Sequence, residues 1–190
     1  MKYDIVLCGV GGQGGISVSV LIARAAMDAG LAAKQSEVHG MAQRGGEVLA
    51  HLRLADGPIA SPTIPRGSAS LLLAFEPLEA LRYLGWLSPS ARIVSASSPV
   101  RNIPSYPEIE GVLAELRSVP GSLALDAEAL AREAGNPKAA NMVLLGAAAA
   151  YLPFPPELLA RAIELGFARK GEAVVAANLR AFEHGRAANS

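Results

Sequence analysis

Gly9, Gly11 and Gly14 stand in the order G-x-G-x-x-G, directly behind the apolar run "YDIVLC" and ahead of a long segment of helical composition. Residues of this kind serve one sort of chemistry. Lacking Cβ atoms, they let main-chain N–H groups approach an anion closely, and a helix beginning at the same place adds partial positive charge. The pattern carries information only in a strand–turn–helix setting, which is the setting found here. Two uses stay open on the residues alone: a cradle for a phosphate-bearing ligand, or a turn that merely packs a strand on a helix. The added Gly12 and Gly15, with Gln13 between them, depart from the nicotinamide-dinucleotide form. A dehydrogenase of that form also needs an Asp or Glu at the end of the second strand, about 20 residues beyond the glycines. Lys34 and Gln35 stand there instead, and the nearest acid, Glu37, comes late.

The second stretch that could do chemistry is "SEVHGMAQRGGEV", which sets Glu37, His39, Gln43 and Arg44 among Gly40, Gly45 and Gly46. A guanidinium fork on flexible main chain is a natural clamp for phosphate or carboxylate, and a solvated loop with a structural arginine is the plainer alternative. Its place after the second strand predicts that it lies near the first glycine turn. Asn141 shares a helix face with Leu144, Leu145 and Ala148, so its amide needs a partner, either a ligand or a neighbouring carbonyl. Cys8, inside the first strand, reads as an inert buried thiol. His39, His51 and His184 lack metal-site spacing, and there is no G-x-S-x-G nucleophile turn. No catalytic residue and no metal site is assigned.

These residues must be positioned by alternating strands and helices. "YDIVLCGV" reads as a buried strand, "ISVSVLIARAAMDAG" as a helix ending at Gly30, and "AAKQSEV" as a second strand, together the size of a βαβ unit. "VLAHLRLA" reads as a partly exposed strand, and the proline-bearing "DGPIASPTIPRGSA" as an extended excursion. "SLLLAF", "ARIVSAS" and "SLALD" read as further strands, separated by the helices "EPLEALRYLGWL" and "EIEGVLAELRSV" and the loop "SPVRNIPSYP". After the helix "AEALAREAG", Asn136 and Pro137 mark the start of "NPKAANMVLLGAAAAYL", apolar nearly all round and so covered by its own domain or another subunit. Two more helices close the chain, broken near Gly166 and Gly171. The expected fold is α/β and Rossmann-like: one domain over 1–190, with a mostly parallel sheet flanked by helices and a helical C-terminal region of about 137–186 packed on it.

Composition narrows the function classes. With 17 basic and 17 acidic residues the chain carries no surplus charge for a nucleic-acid backbone. No apolar stretch reaches the roughly 18 residues of a membrane span, although mean hydropathy is +0.30. The first strand is too short, and too soon interrupted by Asp4, to read as a secretion signal. The single cysteine excludes an internal disulfide and an iron–sulfur cluster held by this chain. A cytoplasmic chain without nucleic-acid or membrane partners is expected.

The stretches "GVGGQG" (9–14), "SEVHGMAQRGGEV" (36–48), "LLLAFEPLEALRYL" (71–84) and "NMVLLGA" (141–147), with a looser match at "VVAANLRAF", resemble the gamma-type domain of the 2-oxoacid:ferredoxin oxidoreductases. Within that family they are most similar to the beta subunits of the indolepyruvate ferredoxin oxidoreductases. The resemblance implies a complex that oxidatively decarboxylates an aryl 2-oxoacid to an acyl-CoA and passes the electrons to ferredoxin. It places thiamine diphosphate and the iron–sulfur clusters on a large partner subunit, and makes this chain an accessory subunit that helps to seat coenzyme A. Carried over by motif, the candidate ligand-binding residues are Gly9, Gly11, Gly12, Gln13 and Gly14, with Asn141 nearby; His39, Gln43, Arg44 and Gly45 face the same cleft or the subunit contact. The alternatives are a free-standing NAD(P)-dependent oxidoreductase and a non-catalytic phosphate- or nucleotide-binding module.

Overall fold

The computed structural model describes residues 1–39 and 45–189, with only the main chain of His39. Six strands form one sheet in the order β2-β3-β1-β4-β5-β6: β1 (Lys2–Val10), β2 (Ala32–His39), β3 (Glu47–Ala55), β4 (Ala69–Ala74), β5 (Leu87–Ala96) and β6 (Ser122–Leu125). β1, β4, β5 and β6 are parallel neighbours, and β3 alone runs against both of its neighbours. The helices are α1 (Gly15–Asp28), α2 (Pro77–Arg82), α3 (Ile109–Ser118), α4 (Ala127–Glu133), α5 (Ala140–Ala148), α6 (Pro156–Phe167) and α7 (Glu172–Ala187).

The sheet is buried on both faces, as the near-continuous apolar runs of β1 and β4 require. Ile5, Leu7, Leu71 and Leu73 face a core shared with α1 and the C-terminal helices, whereas Val6, Cys8 and Leu72 face a smaller one with Tyr83 and Leu116. Side chains alternate across a strand, so one β1 sequence builds both cores.

The first two strands and the helix between them do not make an adjacent pair. β3 lies between β1 and β2 as an interior strand; Ala50, Leu52 and Leu54 are fully buried, while Glu47, Val48, Leu49 and Ala55 keep the partial exposure its mixed pattern suggests. The polar alternate positions have a task of their own. Arg53 donates to Asp4 on one side, at 2.9 and 3.3 Å, and to the carbonyls of Ser61 and Thr63 on the other, at 3.0 and 2.9 Å. Ile64 N–H donates to His51 Nδ1 at 3.1 Å, and Lys34 donates to the Ile59 carbonyl at 2.6 Å. The proline-bearing segment is thereby tied over the face that β2 and β3 would otherwise expose.

Asn136 accepts from the Lys138 N–H at 3.2 Å and caps a single 3₁₀ turn, after which α5 begins at Ala140. Met142 to Ala148 are all buried, within their own chain, against α4, β5 and above all α7. The apolar side chains of this helix are therefore covered by the chain itself. An outward apolar stripe lies on α1, where Ile16, Val20 and Met27 are 40%, 55% and 53% exposed.

Gly146 and Gly185 set the α5–α7 crossing. A Cβ on Gly146 would overlap the Phe182 carbonyl oxygen, and one on Gly185 would overlap the Val143 carbonyl oxygen. Helix propensity alone favours alanine over glycine by about 1 kcal/mol, but forcing a methyl into such a contact costs about 3 kcal/mol or more, so the contact decides the sign. Gly185→Ala is expected to lower the thermal midpoint of unfolding by several degrees; a rise would show that the crossing relaxes freely. Cys8, 1% exposed, supplies a second readout. Its thiol should resist a water-soluble disulfide reagent in the native chain and react faster in Gly185→Ala.

Candidate functional site

β1 ends at Val10 and α1 starts at Gly15, so the whole reversal of the chain falls on residues 11–14. Gly12 has φ +104° and Gly14 φ +80°, conformations that L side chains rarely adopt. Gly14 is the N-cap of α1, no side chain caps the helix, and its first turn holds no acidic residue. The opening amides of a 14-residue helix are thus left to a partner from outside the helix.

The remaining residues of the motif serve close packing. Gln13 Oε1 accepts from Val10 N–H at 2.7 Å while Nε2 donates to the Phe75 carbonyl at 2.7 Å, so both ends of its amide fasten the turn to the end of β4. A Cβ on Gly9 would lie 2.7 Å from Gln13 Oε1 and 2.9 Å from Phe75 Cβ, and one on Gly15 would lie 3.0 Å from the Phe75 ring. Of the residues expected to bind a ligand, Gln13 is thus placed as a brace, and Gly9 as the gap that admits it. A Cβ on Gly12, by contrast, would meet nothing within 4 Å. Gly12 is where the turn presents bare main chain.

The turn lies at the carboxyl ends of β1 and β4, where the connections leave for opposite faces of the sheet and where ligands of open α/β sheets bind. Two cavities flank it. One, of about 400 Å³, runs along Val10, Ile16, Ser17, Val48 and Ala50 and is lined mainly by apolar groups. The other, of about 360 Å³, lies against Ser98, Glu128, Lys138, Asn141 and Leu144. Gly12, Gln13 and Phe75 line both and form the partition between them.

The second glycine-bearing stretch meets the turn, as its position predicts. Gly11 N–H donates to the Gly46 carbonyl at 2.8 Å and Gly45 N–H to the Gly11 carbonyl at 3.3 Å. The cause is the β1–β3 pairing, which sets Val10 opposite Glu47, and not a β2 next to β1. Asn102, from the loop after β5, donates to the Gly45 carbonyl at 2.8 Å and ties a third segment into the cluster. Gln43, Arg44 and the side chain of His39 lie outside the described residues. Asn141 is brought to the site: a Cβ on Gly14 would fall 2.5 Å from its Nδ2, and its amide makes no hydrogen bond to the described residues.

Electrostatics argue against a nucleophile in this chain. Burial, followed by the nearby carboxylates of Glu79, Glu76 and Glu47, pushes the Cys8 thiol well above its ordinary range and holds it protonated. Glu76 is fully engaged: its carboxylate accepts from Glu79 N–H at 2.8 Å at the start of α2, and from the Tyr106 hydroxyl. Burial raises the Glu79 carboxyl too, with Arg82 opposing at 3.1 Å. Among the described residues no three His, Cys, Asp or Glu side chains converge on a metal-sized site, and no helix is long and apolar enough to cross a membrane. The arrangement can hold an anion and a thin apolar arm. Phe75, Ser98 and Lys138 were not singled out from the sequence, because only the strand order reveals that the end of β4 and the start of α5 border the turn.

The family described as pyruvate ferredoxin/flavodoxin oxidoreductase matches residues 4–188. Indolepyruvate oxidoreductase subunit IorB of Archaeoglobus fulgidus is 39% identical, across 97% of this chain and 94% of its own length. The subunit of the same name from Methanothermobacter thermautotrophicus is 43% identical across 83% of each. A keto/oxoacid ferredoxin oxidoreductase gamma subunit from Geobacter sulfurreducens has a TM-score of 0.71 and 27% identity, covering 98% of both chains. A 2-oxoglutarate:ferredoxin oxidoreductase from Magnetococcus marinus, solved with 2-oxoglutarate, coenzyme A and succinyl-CoA bound, has a TM-score of 0.76 over 99% of this chain. This chain spans 31% of that longer one at 24% identity, a likeness of fold. With the glycine turn, the segment tied to it and Asn141 brought together on this fold, the chain belongs to the pyruvate ferredoxin/flavodoxin oxidoreductase family.

Proposed function

We propose that this chain is the accessory subunit of a cytoplasmic 2-oxoacid:ferredoxin oxidoreductase acting on indolepyruvate, and that it holds coenzyme A for a large partner subunit carrying thiamine diphosphate and iron–sulfur clusters. The observation that carries the reading is the bare main chain at Gly12, set at the uncapped start of α1 between two cavities. Family membership and the IorB relatives support the reaction class. The Magnetococcus marinus structure, with its bound coenzyme A, supports the ligand.

Thiamine diphosphate, bound on the partner, would supply the decarboxylation, and this chain binds and orients. Its turn and the opening amides of α1 neutralise the carrier's pyrophosphate without a side chain that could stray into the reaction. The cavity along Ile16 and Val48 takes the uncharged arm, which ends in the thiol. Ile16 is also the first residue of the exposed apolar stripe on α1, so the arm leaves toward the surface suited to a partner. Presenting the thiol in place of a freely diffusing one contributes up to about 7–11 kcal/mol of barrier reduction.

The nicotinamide alternative finds no support in the geometry. On the side where the second strand of a dinucleotide fold would stand, β1 is paired with the antiparallel β3, and the carboxylate at its start, Glu47, accepts from the Tyr83 hydroxyl.

The purified chain alone is expected to turn over no 2-oxoacid, and co-expression with the large subunit should give acyl-CoA formation; activity of the lone chain would reject the accessory role. Gly12→Val adds strain of about 1–3 kcal/mol and fills the exposed main chain. In the assembled complex it should raise the KM for coenzyme A at least tenfold, with the KM for 2-oxoacid unmoved. An unchanged KM for coenzyme A would remove the turn from the mechanism.

A further inference from the structure

We infer that Lys138 reads the terminal phosphate of the carrier: the nucleotide end of coenzyme A occupies the cavity between the glycine turn and α5, and the Lys138 ammonium pairs with the ribose 3′-phosphate. The inference rests on the coenzyme A reading and extends it to a residue and a cavity.

The two cavities differ in what they offer. Around the first, the lining is glycine, aliphatic side chains and Ser17, which suits an uncharged arm. The second brings together the groups that a nucleotide end needs: the Ser98 hydroxyl, the Asn141 amide and the Lys138 ammonium, with Leu144 and Phe75 as apolar wall. Lys138 is the basic residue in the lining of either cavity among the described residues. It has no carboxylate within ion-pair distance among them, unlike Arg24, Arg132 and Arg186. Glu128 lines the same cavity, but Arg132 draws its carboxylate at 3.9 Å.

The main chain under Lys138 is fixed. Asn136 accepts its N–H, Pro137 precedes it, and Ala139 N–H closes the turn on the Asn136 carbonyl at 2.9 Å. One turn later Asn141 lies against Gly14. The same short segment therefore carries a cation at the rim of the cavity and an amide at the start of α1. A ligand with its pyrophosphate on the turn and a further phosphate on the nucleoside meets both.

The test is calorimetric titration of the assembled complex, without 2-oxoacid, using coenzyme A and its analogue lacking the 3′-phosphate. Wild type should bind coenzyme A about threefold to tenfold more tightly than the analogue, the range of one partly exposed charge-assisted contact. Lys138→Ala should weaken coenzyme A by that factor and leave the analogue's affinity alone, and Lys138→Glu should weaken it further. Lys170→Ala, at a surface lysine in the turn that follows α6, should change neither. Equal loss for both ligands in Lys138→Ala, or no discrimination by wild type, would overturn the inference. If Gly12→Val loses coenzyme A while Lys138→Glu binds it normally, the assignment of Lys138 fails and the glycine cradle stands. If neither variant alters binding, the coenzyme A reading fails with it.

Discussion

The site depends on one close approach, that of the chain reversal after β1 to the end of β4. Phe75 N–H donates to the Cys8 carbonyl at 2.8 Å, its carbonyl accepts from the Gln13 amide at 2.7 Å, and its ring lies under Gly15. The glycines at 9 and 15 leave room for that contact, and those at 12 and 14 supply the left-handed conformations that turn the chain within four residues. One phenylalanine and one glutamine thus set where α1 begins, and with it where its unpartnered amides point. A larger residue at 9 or 15 would push the turn off β4 and open the partition between the two cavities.

Everything else around the turn is arranged to hold this approach. β3 enters antiparallel beside β1, so Gly45 and Gly46 arrive at Gly11 and tie it with two hydrogen bonds. The loop after β5 reaches the same cluster through Asn102, and the buried Glu76 anchors that loop through Tyr106 while starting α2. On the other face α5 sets Asn141 over Gly14, at a depth fixed by the glycine–glycine crossing with α7. The remote packing of α5 and α7 is in this way linked to the geometry of the ligand cradle. These segments share one end of the sheet, and a carrier that must be held firmly while its thiol reaches another polypeptide gains from such bracing.

Much of this was legible in the residues. Strand–glycine–helix order located the turn, Asn136 and Pro137 located the start of the last helical region, and Cys8 read correctly as buried. What was not legible was so for physical reasons. The mixed pattern of β3 matched its partial exposure but did not reveal its place inside the sheet, nor that His51 and Arg53 are hydrogen-bonding anchors for the proline-bearing segment. Whether its own domain or another subunit covers α5 stayed open because apolar side chains do not reveal what covers them, and α7 from its own chain does so. The outward stripe on α1 was hidden because that helix is apolar on two faces, one toward the sheet and one toward solvent. Gln13 sits inside the motif, and its spacing did not show that each end of its amide is also held by main chain, with one hydrogen bond apiece. Lys138 is invisible until the strand order brings α5 to the turn.

The central claim is that main-chain amides at the start of α1 hold the negatively charged part of the carrier. Hydrogen–deuterium exchange of the assembled complex, with and without coenzyme A, tests it at the atoms concerned. Slower exchange confined to peptides spanning residues 11–18, and those reaching 45–47 and 138–142, is the outcome this account requires. Protection on the large subunit alone, with residues 11–18 exchanging as before, would contradict it.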